Sequence, residues 1–398
     1  MQTNRSIYKI GYGPSSSHTM APANVAKAFR QKTKKASKYE VELYGSLAAT
    51  GKGHLTDVAV LRELQIENVK IIWKPETFLD FHPNAIKFTS FDKNGNTKKS
   101  EIAYSVGGGE IVYEKDKNKK RGPKKRYPHK NMKQILNYLS KTRYSFWEYV
   151  YSTEGEDFAD YLKEVWVQMK QTIKNGLDKE GVLPGGLNIQ RKASLYKVKA
   201  NGYNGSMKRR SLTFAYALAT AEENASGGVV VTAPTCGSSG VLPAVLYQLR
   251  NSYGFKEGRI INSLATAALF GGVIRANASI SGAEVGCQGE IGTACAMAAA
   301  AACQLFGGSP PQIEYAASIA LEHFLGLTCD PICGLVQVPC IERNALAAVR
   351  AMSCNAYATL SDGNHFVSFD KVVKTMLKTG HDIPSIYKET SLGGLAAL

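Results

Sequence analysis

Ser281-Gly-Ala-Glu284-Val-Gly-Cys287-Gln-Gly-Glu290-Ile-Gly292-Thr-Ala-Cys295-Ala-Met-Ala-Ala-Ala-Ala-Ala-Cys303 holds two kinds of sequence side by side. From Thr293 to Cys303 it is a run of small residues without Gly or Pro, which reads as a helix packed in a core. Before it, glycines break any regular period, so Cys287 can project from a loop instead of packing on a helix face. A second irregular stretch follows, Cys329-Asp-Pro-Ile-Cys333-Gly-Leu-Val-Gln-Val-Pro-Cys340-Ile-Glu-Arg343, with Cys329 before Asp-Pro and Cys340 after Pro339. Thiolates converging from separate loops suit an iron–sulfur cluster. Three of them would leave one metal position open, and open positions are where metal catalysis occurs. The plainer fate of a free cysteine is burial as a small hydrophobe. Cys295 and Cys303, both on the alanine run, read that way. Cys329 and Cys333 have the spacing of half a zinc site, but no second pair with His follows.

The motifs resemble those of the iron–sulfur-dependent L-serine dehydratases: the segment from Ser281 to Gly292, then Cys329-Asp-Pro with Gly334-Leu-Val-Gln-Val-Pro-Cys340-Ile-Glu-Arg-Asn344. The resemblance implies a 4Fe-4S cluster held by Cys287, Cys329 and Cys340, and no pyridoxal phosphate. No ligand role falls on Cys333, where the family pattern usually has a small residue. Glu284, Gln288 and Glu290 flank Cys287 either as groups orienting the cluster or as helix-to-helix ion pairs. For Glu342 and Arg343 an internal salt bridge is the simpler expectation.

At 398 residues and 44% hydrophobic content the chain can bury substantial cores and reads as two domains. The expected fold is two-domain α+β: a mixed α/β domain over residues 1–130, then a mainly all-α catalytic domain over 131–398. No apolar run approaches the ~20 residues of a membrane span, and the first residues lack the apolar core of a signal peptide. All eight cysteines lie between Cys236 and Cys354, an odd placement for a disulfide framework. A cytoplasmic, reduced protein is expected.

The formal net charge is +16, and Glu114–Lys133 contributes half of it, ten Lys/Arg against two acids. That segment contains Gly122-Pro123 and Pro128 and little apolar content, so it reads as a solvated linker at about 114–130. It has no interleaved aromatic platform, which argues against specific nucleic-acid binding.

In the first domain, Ser6–Tyr12, Val41–Leu47 and Val69–Trp73 read as strands, and a helix runs from Met20 toward Lys34. Between the first strand and that helix stand Ser15, Ser16, Ser17, His18 and Thr19. Hydroxyls and free backbone N–H groups at a helix start make an anion site, though one serine there also serves simply as a cap. His54 sits in the glycine-flexible loop Thr50-Gly-Lys-Gly-His-Leu-Thr-Asp57. A neutral imidazole in such a loop can take a proton at neutral pH. His82, at a turn, reads as structural. Gly13-Pro-Ser-Ser-Ser-His-Thr19, Gly51-Lys-Gly-His54 and His82-Pro-Asn84 extend the resemblance from about residue 8 to about 397. It implies L-serine as substrate, its carboxylate held by the serine-rich loop, His18 or His54 as base, and a homodimer.

In the second domain, Ile135–Ser152, Phe158–Asn175, Ser211–Glu223, Ala265–Ile274 and Glu314–Phe324 carry helical periodicity. His323, in the last of these, reads as a packed helical residue. Thr235-Cys236-Gly-Ser238-Ser239-Gly precedes another helix and is a second candidate substrate loop through Thr235, Ser238 and Ser239. Cys236 either lines the site or is buried. In family members whose tail carries a cysteine, that residue fills the open iron. None follows Cys354 here, so water, substrate or another residue is expected to complete the cluster, and the labile iron to be lost faster in air. Two further readings stand beside the dehydratase: elimination of sulfide from L-cysteine, and a noncatalytic amino-acid- or polyanion-binding protein.

Overall fold

The computed structural model describes residues 1–398 except 83, 118–125, 156, 390–392 and 398. The chain divides into two compact units, one of Gly11–Gly122 and one of Met1–Ile10 with Pro123–Leu398. The architecture is α+β, with the sheet in the smaller unit and helices dominating the larger.

The smaller unit is built on α1 (Ala21–Lys32), β1 (Lys38–Tyr44), α2 (Thr56–Leu64), β2 (Val69–Lys74), β3 (Ala85–Phe91), β4 (Thr97–Ser105) and β5 (Ile111–Tyr113). The sheet runs β2-β1-β3-β4-β5. β1 and β2 are parallel, with Val41 opposite Ile71, and α2 lies in the crossover that parallel pairing requires. The remaining pairs are antiparallel, as in Val41 opposite Phe88 and Phe88 opposite Glu101. Val25, Ala26 and Phe29 of α1 share a core with Val41, Leu43 and Phe88, and the Phe29 and Phe88 rings lie 5.4 Å apart. Four-residue helical spacing against two-residue strand spacing produces this one-sided packing.

The larger unit contains α3 (Met132–Thr142), α4 (Phe146–Glu154), α5 (Asp157–Leu177), α6 (Ala193–Ala200), α7 (Gly205–Ala225), α8 (Val241–Tyr253), α9 (Glu257–Asn277), α10 (Thr293–Leu305), α11 (Pro310–Glu322), α12 (Cys340–Thr359) and α13 (Phe369–Asp382). α10 is the alanine run. Apart from Gln304 its residues are all buried, and α8, α9, α11 and α12 pack around it. Alanine permits that close approach on every side, and a helix apolar all round belongs inside.

Several sequence expectations shift. Residues 6–12 are not one strand: Asn4–Ile7 is a short helical turn, and only Ile10–Tyr12 is extended. Met1–Ile10 lies in the helical unit, where buried Glu154 accepts from Asn4 N at 2.5 Å and Thr3 Oγ1 at 2.7 Å. The first strand of the sheet ends at Tyr44, because Gly45 turns into a helical segment with φ 50°. The single helix expected over 135–152 is two, broken where Arg143 turns left-handed and Ser145 with Glu148 forms a capping box. Much of the expected basic linker, 118–125, lies outside the described residues. Its flank is structured: Arg126 pairs with Glu154 at 3.3 Å.

Candidate active site

Three chain segments of the larger unit carry the cysteines. Gly286 has φ 73°, and a Cβ there would meet Leu327 O at 2.5 Å, so only glycine lets the chain turn into Cys287. Cys329 is held by its backbone between two residues of the tail: its N–H donates to Tyr387 O (2.8 Å), and its carbonyl accepts from Glu389 N (2.6 Å). Cys340 opens α12. Its carbonyl accepts from Asn344 Nδ2 at 2.8 Å, and the same amide reaches Gly237 O at 2.7 Å while Asn344 Oδ1 accepts from Gly240 N at 2.9 Å. Asn344 thus ties a cysteine to the loop carrying Thr235, Ser238 and Ser239.

The donor atoms of Cys287, Glu290 and Cys329 all lie within 4.8 Å of one another. Cys287 and Cys329 are hydrogen-bonded, and this contact, then burial, pushes the Cys329 thiol well up from its ordinary value. Burial first, then Cys287 and Glu290, does the same to Cys340. Burial also raises Glu290, against the opposing pull of a Thr235 hydrogen bond and the Arg343 charge. Glu389 is pushed up to about 8 by burial and by Glu290. Acidic donors crowded out of water disfavour their charged forms, and a bound cation reverses that preference. Arg343 is the cation acting on Cys287, Cys340 and Glu290. Its guanidinium donates to Thr328 O (2.8 Å) and pairs with Asp330 at 3.1 Å, so the expected salt bridge links α12 to the turn of Cys329.

The other cysteines do different work. Cys295 donates to Ala347 O at 3.4 Å, Cys303 lies 3.6 Å from Thr359 Oγ1, and Cys354 is buried, all within helix packing. Cys333 is exposed, with φ 53°. Cys236 is fully buried, its thiol pushed up by burial and by the charge of Glu290. Among the flanking groups, Glu284 is exposed, and Gln288 is a structural link, donating to Val285 O at 2.7 Å and accepting from Gly326 N and Thr379 Oγ1 at 3.0 Å. Glu342 pairs outward with Lys192 at 3.5 Å, and His323 caps α11 beside Glu322. In the second hydroxyl loop, Thr235 reaches Glu290, Ser238 turns back on Thr235 Oγ1 at 3.0 Å, and the buried Ser239 hydroxyl has no hydrogen-bond partner among the described residues.

The smaller unit carries the second cluster. Ser15 caps the turn leading into α1, its Oγ accepting from His18 N at 3.1 Å and lying 3.2 Å from Ser17 Oγ. Ser16 is buried in the same turn. His18 is clamped between Ser17 Oγ on Nδ1 (2.8 Å) and Ser46 Oγ on Nε2 (3.0 Å), while His54 Nδ1 meets Thr50 Oγ1 at 3.1 Å. The two rings lie 4.6 Å apart. Thr19 and Thr56 lock them in place, donating to His54 O and His18 O, both at 2.6 Å. Burial, and then the neighbouring His54, pulls His18 well below the usual histidine value, and burial brings His54 down to about 4. Both imidazoles are therefore neutral at pH 7. His82 accepts from Asn84 N at 3.1 Å and stands at the edge of this cluster, where its charge bears on His18.

Sequence reasoning missed Glu389, Asn344 and the bond of Thr235 to Glu290. Asn344 was readable as a polar residue one helical turn after Cys340. Glu389 carried no local signal, because only the tertiary pairing of the tail with Cys329 brings it in.

Comparison with known proteins agrees with these features. Residues 24–396 match the family described as the serine dehydratase alpha chain. The chain is 39% identical to an L-serine dehydratase of Streptomyces coelicolor, over 98% of this chain and 97% of that one. It is also 39% identical to an L-serine dehydratase of Haemophilus influenzae and to L-serine dehydratase TdcG of Escherichia coli, with the same coverage of both chains.

Proposed function

The chain belongs to the serine dehydratase alpha chain family, and from that membership we propose that this enzyme converts L-serine to pyruvate and ammonia by β-elimination of water. The observation carrying the proposal is the close group of Cys287, Glu290 and Cys329 donor atoms within 4.8 Å, with both thiols buried and Cys340 electrostatically joined to it.

The family implies a 4Fe-4S cluster, and the residues fit one. All three thiols are free, Cys287 and Cys329 are hydrogen-bonded, Cys340 is close enough to interact electrostatically with Cys287, and Arg343 supplies a counter-charge where thiolates would otherwise repel. Cys287, Cys329 and Cys340 would hold it. When bound, such a cluster supplies a Lewis-acidic iron that makes hydroxide a better leaving group.

The chain's own residues supply the rest. Ser15, Ser16, Ser17 and Thr19 give a hydroxyl-rich turn at a helix start, suited to a carboxylate. A neutral imidazole, His18 or His54, takes the Cα proton, and the serine and threonine hydroxyls on the ring nitrogens hold each ring in one orientation. Thr235, Ser238 and Ser239 line the second polar loop and orient substrate. The aminoacrylate released then tautomerises and hydrolyses without further help. A homodimer belongs to the same reading, and the large apolar residues exposed after α12, Leu360 at 89% and Phe366 at 93%, support it. A cytoplasmic location also belongs to it; no helix among the described residues is long and apolar enough to cross a membrane.

The test is anaerobic reconstitution with iron and sulfide, reading visible absorbance and pyruvate from L-serine, with Cys287→Ala, Cys329→Ala and Cys340→Ala alongside. A brown protein making pyruvate, with both properties lost in each variant, is the expected result. A colourless protein, or variants with full activity, overturns it. Parallel kinetics on L-cysteine decide between water and sulfide as leaving group.

A further inference from the structure

Glu290 is placed where an ion-pair partner for Arg343 would not need to be. The Arg343 guanidinium already donates to Thr328 O at 2.8 Å and to Asp330 Oδ1 at 3.1 Å. Glu290 faces sulfur instead, its Oε2 4.0 Å from Cys287 Sγ and within the same 4.8 Å group as Cys329 Sγ.

The backbone is pared away to admit it. A Cβ on Gly282 would fall 2.8 Å from Glu290 Oε2 and 3.0 Å from Cys329 Sγ, whereas one on Gly237 would make only an ordinary contact, 3.4 Å from Oε1. Glycine at 282 thus leaves the carboxylate room to approach the thiols. Thr235 hydrogen-bonds it, the kind of outer contact that orients a metal-ligating carboxylate.

Resting on the cluster reading above, we propose that Glu290 is a fourth protein donor to that cluster: an oxygen ligand for the iron the three cysteines leave free, yielding its place to substrate. Thiolates are the soft, tightly held ligands of such a cluster, whereas a carboxylate is a harder donor suited to the position that must exchange. Arg343, acting on Glu290 as well as on Cys287 and Cys340, offsets the added negative charge. The exchange is redox-neutral, one oxygen donor replacing another.

The test uses full-length holoenzyme loaded anaerobically with iron-57, in wild type, Glu290→Gln, Glu290→Asp and Glu389→Gln. Mössbauer spectra read the distinct iron, and electron paramagnetic resonance follows its loss under controlled oxidation to a three-iron cluster. Expected for Glu290→Gln is a retained visible chromophore, an altered spectrum for one iron in four, and release of that iron roughly 10- to 100-fold faster. Glu290→Asp keeps a carboxylate and falls between, which also serves if the Gln variant folds poorly. Glu389→Gln, which removes a neighbouring charge but no ligand, alters the iron spectrum less than either Glu290 variant. Identical spectra and loss rates in wild type and both Glu290 variants overturn the proposal, as does an effect confined to Glu389→Gln. A wild type that binds no cluster overturns the dehydratase reading along with it, whereas a normal cluster indifferent to Glu290 overturns this inference alone.

Discussion

Replacing Gly282 by alanine adds one methyl group at the most crowded point of the site. Its Cβ would stand 2.8 Å from Glu290 Oε2, 3.0 Å from Cys329 Sγ and 3.4 Å from Glu290 Cδ. Comfortable carbon contacts lie at about 3.5–4.0 Å, so both donors must retreat by roughly 0.5–1 Å. Neither retreats freely, since Thr235 holds the carboxyl and the tail holds the Cys329 backbone on both sides. Overpacking of this kind costs roughly 1–3 kcal/mol. Gly282 has an ordinary helical start and no positive φ, so alanine recovers about 0.5–1 kcal/mol of backbone entropy. The two effects leave a net loss of about 0–2.5 kcal/mol, too little to unfold a domain of ordinary stability. Function is hit harder, because a misplacement near 1 Å costs about 100-fold in rate. The assay compares iron per chain, thermal midpoint and pyruvate formation in Gly282→Ala and Gly258→Ala, the latter having nothing within 4 Å of its added carbon. A folded Gly282→Ala protein depleted in iron and slowed about 100-fold is expected, with the Gly258 variant unaffected. Wild-type iron content and rate in Gly282→Ala would refute the crowding argument.

The histidines separate by turnover: in His18→Asn and His54→Asn, whichever residue is the base loses roughly 10²–10⁴-fold in kcat with iron content unchanged. Full turnover in both variants removes them from the mechanism. His54 also sets an acid limit on stability. Its folded value is about 4 against an ordinary 6.5, so between those values the unfolded chain binds the extra proton. Stability contributed by its neutral form is complete above about 6.5 and is lost as pH falls toward 4, roughly 3 kcal/mol in total. Urea unfolding at pH 7 and pH 5 should show a smaller acid loss in His54→Asn than in wild type, and equal losses would contradict the burial argument. Glu154→Ala strands Asn4 N, Thr3 Oγ1 and Arg126 together, and a loss of roughly 3 kcal/mol is expected in denaturant titration. A shift of a few tenths would mean that Met1–Ile10 is not anchored there.

What the sequence disclosed, and what it withheld, follows from how local each signal is. Cys287, Cys329 and Cys340 stand out because Gly and Pro around them forbid a helix-face reading, and α10 because thirteen residues without a charge have no solvent face. The strands Ala85–Phe91 and Thr97–Ser105 gave little warning. The first four residues of the latter are all exposed and include Lys98 and Lys99, so the alternation that marks a strand is blurred. The break between α3 and α4 is equally quiet: apolar periodicity passes straight through Arg143, and only its left-handed backbone stops the helix. Glu389 was beyond any local reading, since its place depends on a backbone pairing between the tail and Cys329.

The same donors that make the site legible make it costly to fold empty. Burial and mutual repulsion push Cys329, Cys340, Glu290 and Glu389 toward their protonated forms, with Arg343 the opposing charge on the thiol side. A structural core would not collect four such groups, because their desolvation and mutual repulsion outweigh the few hydrogen bonds they make. A cation that binds only the folded chain converts that cost into stabilisation, by an amount set by its concentration relative to its dissociation constant. Loading must then release protons from the thiols, so it is favoured as pH rises. The folding of the larger unit and the binding of such a cation would then be one coupled equilibrium, and Gly282 and Gly286 are points where a side chain would crowd the segments that carry the donors.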